Sequence, residues 1–323
     1  MIDSLHIRNL RGIRSLDVAD LGRVNVIVGR NEAGKTTVLA ASGMQADPKA
    51  WLFIAPFLDD PRPAPLSFER HILPLFRGGD PSTPAQVWAT RGSVATGWRL
   101  EAANGRGHLT QPLTFSADPG DGRTIVITLD DGNIRTKGAF KQEWATSWWS
   151  PACVEAELDT FHTLYDLYKA GRIAEVVAPL RHLNPDIETV DLAGQNVFVR
   201  LRGHPLPLRL GVLGDGARRL LEFAIAVASG SPTLHIDEIE NGFHHSVLPV
   251  PLRMLQGAPP STQIFCTTHR DELIRVACEV FLAANDDGLR IIRVDRAGDA
   301  HSAAVYTAAE ALAGLDAGLE LRG

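Results

Sequence analysis

A chain of 323 residues with 45% apolar and 22% charged side chains can bury a full core, as one large α/β unit or two modest domains. Its formal net charge of −6 argues against a broadly basic, nucleic-acid-coating surface and leaves room only for a local patch. No apolar run approaches a membrane span, and Met1-Ile2-Asp3-Ser4-Leu5-His6 has neither the basic nor the apolar region of a secretion signal. Cys153, Cys266 and Cys278 lie in apolar surroundings without C-x-x-C spacing, which reads as buried free thiols in a reducing compartment. The expectation is a cytoplasmic protein with no membrane partner.

In chain order, Leu5-His6-Ile7 alternates as a strand, Leu10-Arg11-Gly12-Ile13 turns, and Leu16-Asp17-Val18 returns. Val24-Asn25-Val26-Ile27-Val28 then forms a short β-branched run of the buried-strand type. It leads into Gly29-Arg30-Asn31-Glu32-Ala33-Gly34-Lys35-Thr36, which reads G-x-x-x-x-G-K-T, and Thr37-Val38-Leu39-Ala40-Ala41 can continue as a helix. A strand, a glycine loop and a helix N-terminus together point backbone N–H groups and a positive dipole end at a bound triphosphate. In such a cradle Lys35 reaches the β- and γ-phosphates and the Thr36 hydroxyl holds Mg2+. A glycine-rich turn with an accidental lysine is the bland alternative, and the strand–loop–helix context weighs against it.

From about residue 55 to 85 the prolines Pro56, Pro61, Pro63, Pro65, Pro74, Pro81 and Pro84 break any long helix. Short strand-like runs follow at Gln86–Thr90, Trp98–Ala102 and Thr124–Leu129, with turn dipeptides Asn104-Gly105, Asp121-Gly122 and Asp131-Gly132. They read as an antiparallel patch within a larger fold. From Val154 to His182 one or two helices are expected, with Leu158, Phe161, Leu164, Tyr165, Leu167 and Tyr168 on one broad face. A hairpin across Gly194-Gln195 pairs Thr189–Leu192 with Val197–Leu201. There is no internal repeat and no heptad run.

The second half carries the remaining chemistry. Leu213-Gly214-Asp215-Gly216-Ala217-Arg218-Arg219 precedes a helical stretch, Leu220–Ser229. Its glycines suit a phosphate-facing helix start, and Asp215 suits an N-cap equally well. Ser231-Pro232-Thr233-Leu234-His235-Ile236-Asp237-Glu238 is an apolar strand ending in two carboxylates. Asp237 there suits Mg2+ and Glu238 suits an attacking water. A second apolar strand, Thr262–Cys266, ends in Thr267-Thr268-His269, where an imidazole can sense a γ-phosphate. The chain closes with Leu289–Val294, a turn at Gly298-Asp299, Ser302–Thr307 and an Ala/Leu-rich helix. The arginine clusters Arg8, Arg11, Arg14 and Arg200, Arg202, Arg209 read more readily as solvated strand faces than as a nucleic-acid surface.

In this order the motifs resemble ABC-type ATPases of the SMC/RecF kind, and more closely the AAA-like ATPases of the OLD (overcoming lysogenization defect) type. Leu5–Ile13 looks like their N-terminal strand and turn, Gly29–Thr36 matches Walker A, and Leu213-Gly214-Asp215-Gly216 looks like a degenerate signature. LHIDEIENG from Leu234 to Gly242 resembles an extended Walker B, and Phe265-Cys266-Thr267-Thr268-His269 resembles the switch-histidine loop. The resemblance implies an α/β P-loop NTPase, an ABC-type head with a mixed central sheet, an antiparallel β subdomain and a helical signature subdomain. One domain would span 1–323: hairpin and Walker A in 1–45, a β-rich insertion in 46–150, helices and a hairpin in 151–212, and the other motifs in 213–323.

The resemblance further implies ATP and Mg2+ as cofactors, with nucleotide contacts from Gly29, Arg30, Asn31, Glu32, Ala33, Gly34, Lys35, Thr36 and Thr37. Thr36 and Asp237 would hold the metal, and Lys35, Glu238 and His269 would act on the γ-phosphate. Gly214, Asp215 and Gly216 would complete the site of a second subunit in a head-to-tail homodimer. The partner expected beyond that is a separate effector, a nuclease or toxin, with DNA as a further candidate.

Three departures accompany the resemblance. The segment after His269 is too short for a Toprim domain, so nuclease chemistry is expected from a partner. Phe243-His244-His245 stands where SMC-like proteins carry an aspartate, and a satisfied helix start fits the His pair better than a metal. No Q-loop glutamine can be chosen among Gln86, Gln111 and Gln142. With no guanine-reading N-K-x-D, GTP stays open beside ATP.

Overall fold

The computed structural model describes residues 1–46, 73–102, 113–118, 125–130, 133–137, 146–149, 156–193 and 196–322. A hairpin of β1 (Ser4–Leu10) and β2 (Ile13–Val18) opens the chain, followed by β3 (Val24–Val28) and α1 (Lys35–Ala46). Then come β4 (Ala85–Arg91), β5 (Val94–Ala102), β6 (Leu113–Asp118), β7 (Ile125–Asp130) and β8 (Asn133–Lys137). They join the hairpin in one antiparallel sheet of order β2-β1-β4-β5-β6-β7-β8. Along β1 the side chains alternate as this sheet requires: Leu5 and Ile7 are buried, whereas His6 and Arg8 face outward.

The helical part follows β9 (Thr146–Trp149): α2 (Ala156–Lys169), α3 (Ile173–Leu180), then β10 (Ile187–Ala193), β11 (Asn196–Leu201) and the short β12 (Leu208–Arg209). The next elements are α4 (Asp215–Ala228), β13 (Thr233–Ile236), α5 (Pro249–Gln256), β14 (Gln263–Thr267) and α6 (Asp271–Ala283). The last are β15 (Leu289–Ala297), β16 (Ala300–Thr307) and α7 (Ala308–Asp316), whose start is fixed by a Thr307–Glu310 capping box. The central sheet runs β16-β15-β3-β14-β13-β9, parallel throughout except for β16.

Both faces of β3 are covered, and its alternation splits the interior in two. Val24, Val26 and Val28 join the side packed by α4, α5 and α6, while Ile27 joins the side shared with α1 and the antiparallel sheet. Wedged between the two sheets, α1 is buried along its length from Thr37 to Gln45, and Gln45 Nε2 reaches the Val87 carbonyl at 3.1 Å. A strand whose two faces are both packed cannot shift, so the loop that leaves it is anchored.

Several expectations change at this level. β9 falls at the end of the span read as a β-rich insertion, yet it pairs with β13 in the central sheet. The helical stretch is two helices, α2 and α3, interrupted where Gly171 takes φ +71. Of the residues expected on its broad face, Leu164 and Leu167 are buried, whereas Tyr165 and Tyr168 are 46% and 53% exposed, so that face is narrower than expected. Helices α5 and α6 were not singled out by periodicity, and α6 buries Leu273, Ile274, Ala277, Cys278 and Phe281. Cys266 and Cys278 are buried free thiols, and burial pushes both upward, Cys278 to about 12. Cys153, the turn dipeptides and most of the proline-rich stretch lie outside the described residues. Among the described residues no helix is long and apolar enough to cross a membrane.

Arg23, at the entry to β3, ties the sheet to the helices. Its guanidinium donates to the carbonyls of Leu255, Gln256 and Ala258 at the end of α5 and to Asp286 Oδ2 at 2.7 Å. Burial works to raise the Asp286 carboxyl, but the Gly288 N–H, Arg23 and Gln256 outweigh it and hold it below its ordinary 3.8. Arg23→Met should cost roughly 2–4 kcal/mol in urea unfolding, because it strands a half-buried carboxylate and three carbonyls. The depressed carboxyl contributes stability above its unfolded value, and that stability fades as pH falls below about 4. Asp286→Asn should therefore flatten the acid limb of the stability curve, and an unchanged limb would refute the assignment.

Candidate nucleotide-binding site

The loop leaving β3 adopts a shape that its residues dictate. Gly29 sits at φ +145, and a Cβ there would lie 2.3 Å from the Val294 carbonyl oxygen of β15. Gly34 takes φ +99 with Ile13 Cδ1 3.1 Å from its would-be Cβ. Both positions admit glycine alone. Glu32 also has positive φ, at +64, and Val38 N–H closes the first helical turn onto the Gly34 carbonyl. Lys35 is only 5% exposed and donates from Nζ to the carbonyls of Gly29 and Arg30, both at 2.8 Å. Burial pushes its pKa down, against the opposing pull of Asp237, Glu238 and Glu240.

Opposite the loop stand the ends of β13 and β14. Their parallel register places Ile236 beside Cys266, so the next pair out is Asp237 and Thr267. Thr267 Oγ1 donates to Asp237 Oδ1 at 2.6 Å and accepts the Glu238 N–H at 2.8 Å. Glu238 takes φ +50, which turns the chain, and Ile239 N–H bonds back to the Thr267 carbonyl. The Glu238 carboxylate lies 3.3 Å from His269 Nε2, with the two side chains 44% and 39% exposed. Glu240 is 5% exposed, and its Oε1 accepts the His269 N–H at 2.7 Å. Two strand ends are thus stitched into one rigid edge.

A cavity of about 450 Å3 lies between these edges, lined by Asn31, Gly34, Lys35, Thr36, Thr37, Glu238 and His269 among others. A second hollow of about 730 Å3 is lined by Gly29, Arg30, Asn31, Glu238 and His269. Gly29 to Glu32, Gly34 to Thr37, Glu238 and His269 therefore share one mouth, whereas Ala33 does not line it and Asp237 is tied to Thr267 beside Glu238. Gly214, Asp215 and Gly216 do not line it. They begin α4, where Gly214 (φ +89) occupies the N-cap and Asp215 is the first helical residue, its side chain 89% exposed. The N-cap role weighed for Asp215 thus falls to Gly214. A Cβ on Gly216 would lie 3.6 Å from the Gly242 carbonyl, so the helix start packs beside the turn after Glu238.

His244 caps the short helix that follows by accepting the Ser246 N–H, and among the described residues no cluster of three His, Cys, Asp or Glu side chains is gathered for a metal. Gln86 sits on β4 opposite Arg8 and Arg99, while Gln111 and Gln142 lie outside the described residues. Arg8 is bound to Asp17 at 2.8 Å and lies over the Trp88 ring, and Arg200 pairs with Asp191 at 2.9 Å. Glu240 and Thr267 escaped the sequence reading. Their signal was there, as polar residues in I-D-E-I-E-N-G and C-T-T-H, but nothing in spacing says that the two segments meet.

The profile of a family described as "AAA domain, putative AbiEii toxin, Type IV TA system" matches residues 156–275, a span that holds Gly214 to Gly216, Asp237, Glu238 and His269. Over 41 residues the chain is 49% identical to an uncharacterized protein of Methanocaldococcus jannaschii, covering 13% of this chain and 19% of that relative's length. It is 22% identical to a Helicobacter pylori protein named ATP/GTP phosphatase, over 87% of this chain and 88% of that one. The crystal structure of an Smc head bound to the C-winged helix domain of ScpA superposes with TM-score 0.55 at 12% identity, over 95% of this chain and 97% of that one. The Pyrococcus furiosus Smc head domain bound to the C-terminal domain of ScpA does so with TM-score 0.54 at 13% identity, over 98% of each. The fold is that of a P-loop NTPase of the ABC-type head class, with a mixed central sheet.

The Glu240 contact predicts a local effect. Glu240→Leu should speed hydrogen exchange at the His269 amide by about tenfold, since it removes a hydrogen bond of about 1.4 kcal/mol, whereas Glu240→Gln keeps an acceptor and most of the protection. Equal exchange in both variants would contradict the contact.

Proposed function

We propose that this chain is an Mg2+-dependent ATPase of the SMC/RecF-like kind, whose turnover is tied to head-to-tail pairing of two copies. The observation that carries this reading is the convergence of Lys35, Glu238 and His269 on one mouth, with Glu238 and His269 in contact. Lys35 now satisfies its buried charge with two loop carbonyls. Phosphate oxygens would replace these carbonyls as acceptors and add a direct pairing of opposite charges.

The donor set fits Mg2+. Thr36 and Asp237 offer hard oxygens, and the lack of a dedicated carboxylate cage among the described residues suits a cation that arrives on the phosphates. When bound there, Mg2+ would supply neutralisation of phosphate charge. Glu238 would orient the attacking water, and His269 would report the γ-phosphate to the segment that Glu240 holds.

Gly214, Asp215 and Gly216 stand outside their own chain's mouth, which supports a role across a dimer. Closure on ATP and release on hydrolysis would then make the chain a switch. The match to a family that includes a putative AbiEii toxin and the likeness to ScpA-bound Smc heads support coupling to a separate protein effector, a nuclease or toxin in bacterial defence or DNA maintenance. The ion pairs at Arg8 and Arg200 weigh against DNA as the main partner. The narrower OLD-type assignment rests on the motif order alone.

Phosphate release from Mg-ATP, measured against protein concentration, tests the reading. Specific activity should rise with concentration, and Glu238→Gln should lower it by roughly 100-fold or more while ATP still binds. Binding without turnover in either protein would shift the reading to a nucleotide-gated scaffold. Absence of binding would end both.

A further inference from the structure

Once the Walker A, Walker B and switch residues are set aside, the lining of the 450 Å3 cavity leaves Arg11, Gly12 and His301. These come from two different hairpins. Arg11 and Gly12 form the β1–β2 turn, with Arg11 at φ +53, and His301 lies on β16 just after the β15–β16 turn. The fold joins them because β15 pairs with β3 and β16 packs against β2. Gly34 sits between the two hairpins: a Cβ there would meet Ile13 at 3.1 Å and His301 Cδ2 at 3.9 Å. The imidazole is therefore fixed against the phosphate loop.

This histidine is ill suited to phosphate. Burial and the nearby Arg296 push its pKa down, outweighing the Asp299 backbone and carboxylate, so the ring is neutral at pH 7. Its Nδ1 is buried without a hydrogen bond of ordinary geometry. A neutral, flat heteroaromatic ring suits another flat ring, and stacking between aromatic side chains and bases is worth about 1–3 kcal/mol per base. Arg11 lines the same cavity beside it.

We propose that His301, with the Arg11 turn beside it, forms the nucleobase end of the site and receives the purine ring of the bound nucleotide. The inference rests on the nucleotide reading above and extends it to the C-terminal hairpin, which carries no recognised nucleotide motif. Phosphate recognition and base recognition then reside on separate elements, and substitution can separate them.

The test compares binding of Mg-ATP and of inorganic tripolyphosphate to the full chain. His301→Ala should weaken ATP about tenfold and leave tripolyphosphate within twofold of wild type, while His301→Phe should retain ATP. Independently, photolabelling of the wild-type chain with 8-azido-ATP should mark the peptide around His301 or that around Arg11. Equal loss of both ligands in His301→Ala, no loss of either, or label confined to other peptides overturns the inference. If the wild-type chain binds neither ligand, the nucleotide reading fails, and this inference fails with it. Binding of tripolyphosphate with unaltered ATP affinity in His301→Ala leaves that reading standing and removes only this one.

Discussion

The hydroxyl of Thr267 is the joint on which the site depends. By donating to Asp237 and accepting from the Glu238 N–H, it fixes the end of β13 against the end of β14. Two hydrogen bonds on one small side chain convert a strand pairing into a defined carboxylate geometry. Everything downstream follows the same edge, because Glu238 at φ +50 swings Ile239 back to the Thr267 carbonyl and Glu240 under His269. A neutral hydroxyl suits this joint because it can serve as donor and acceptor at once, which neither a carboxylate nor an ammonium can do.

That edge has value only because the strands cannot slide. β3, β14 and β13 are covered on both faces, so any register shift would turn apolar side chains toward the wrong layer. The same sheet also presses β15 against the phosphate loop, where the Val294 carbonyl leaves room for glycine alone at position 29. The loop shape is thus enforced from outside as well as by its own glycines. His235, stacked on Phe265 at 5.5 Å in this layer, is pushed down to about 3 by burial and serves as an uncharged core residue.

A second connection runs from the site to the start of α4. Gly242, at φ +80, leaves space for the Arg219 side chain, whose Cδ would lie 2.1 Å from a Cβ at that position. Gly216 lies against the same turn. The segment carrying Glu238 therefore touches the start of α4. A movement of one would be felt by the other through packed backbone, with no charged side chain from Phe243-His244-His245 needed in between.

Short-range physics was legible in the sequence. The β-branched run at Val24–Val28, the glycine spacing of 29–34, and the apolar strands ending in Asp237-Glu238 and Thr267-Thr268-His269 each state a local conformation and a chemical group. Together they gave the P-loop fold and most residues of the mouth. Side-chain periodicity could not say that Thr146–Trp149 leaves the antiparallel patch for the central sheet, since a four-residue strand carries too little pattern to choose a neighbour. Nor could it expose Glu240, whose value lies in a backbone amide 29 positions away, or His301, which reaches the loop only because two hairpins pack together. Spacing along a chain determines which groups a segment can offer. Which of them meet is decided by strand order and packing, because those contacts arise from burial shared between distant segments that neither segment encodes alone.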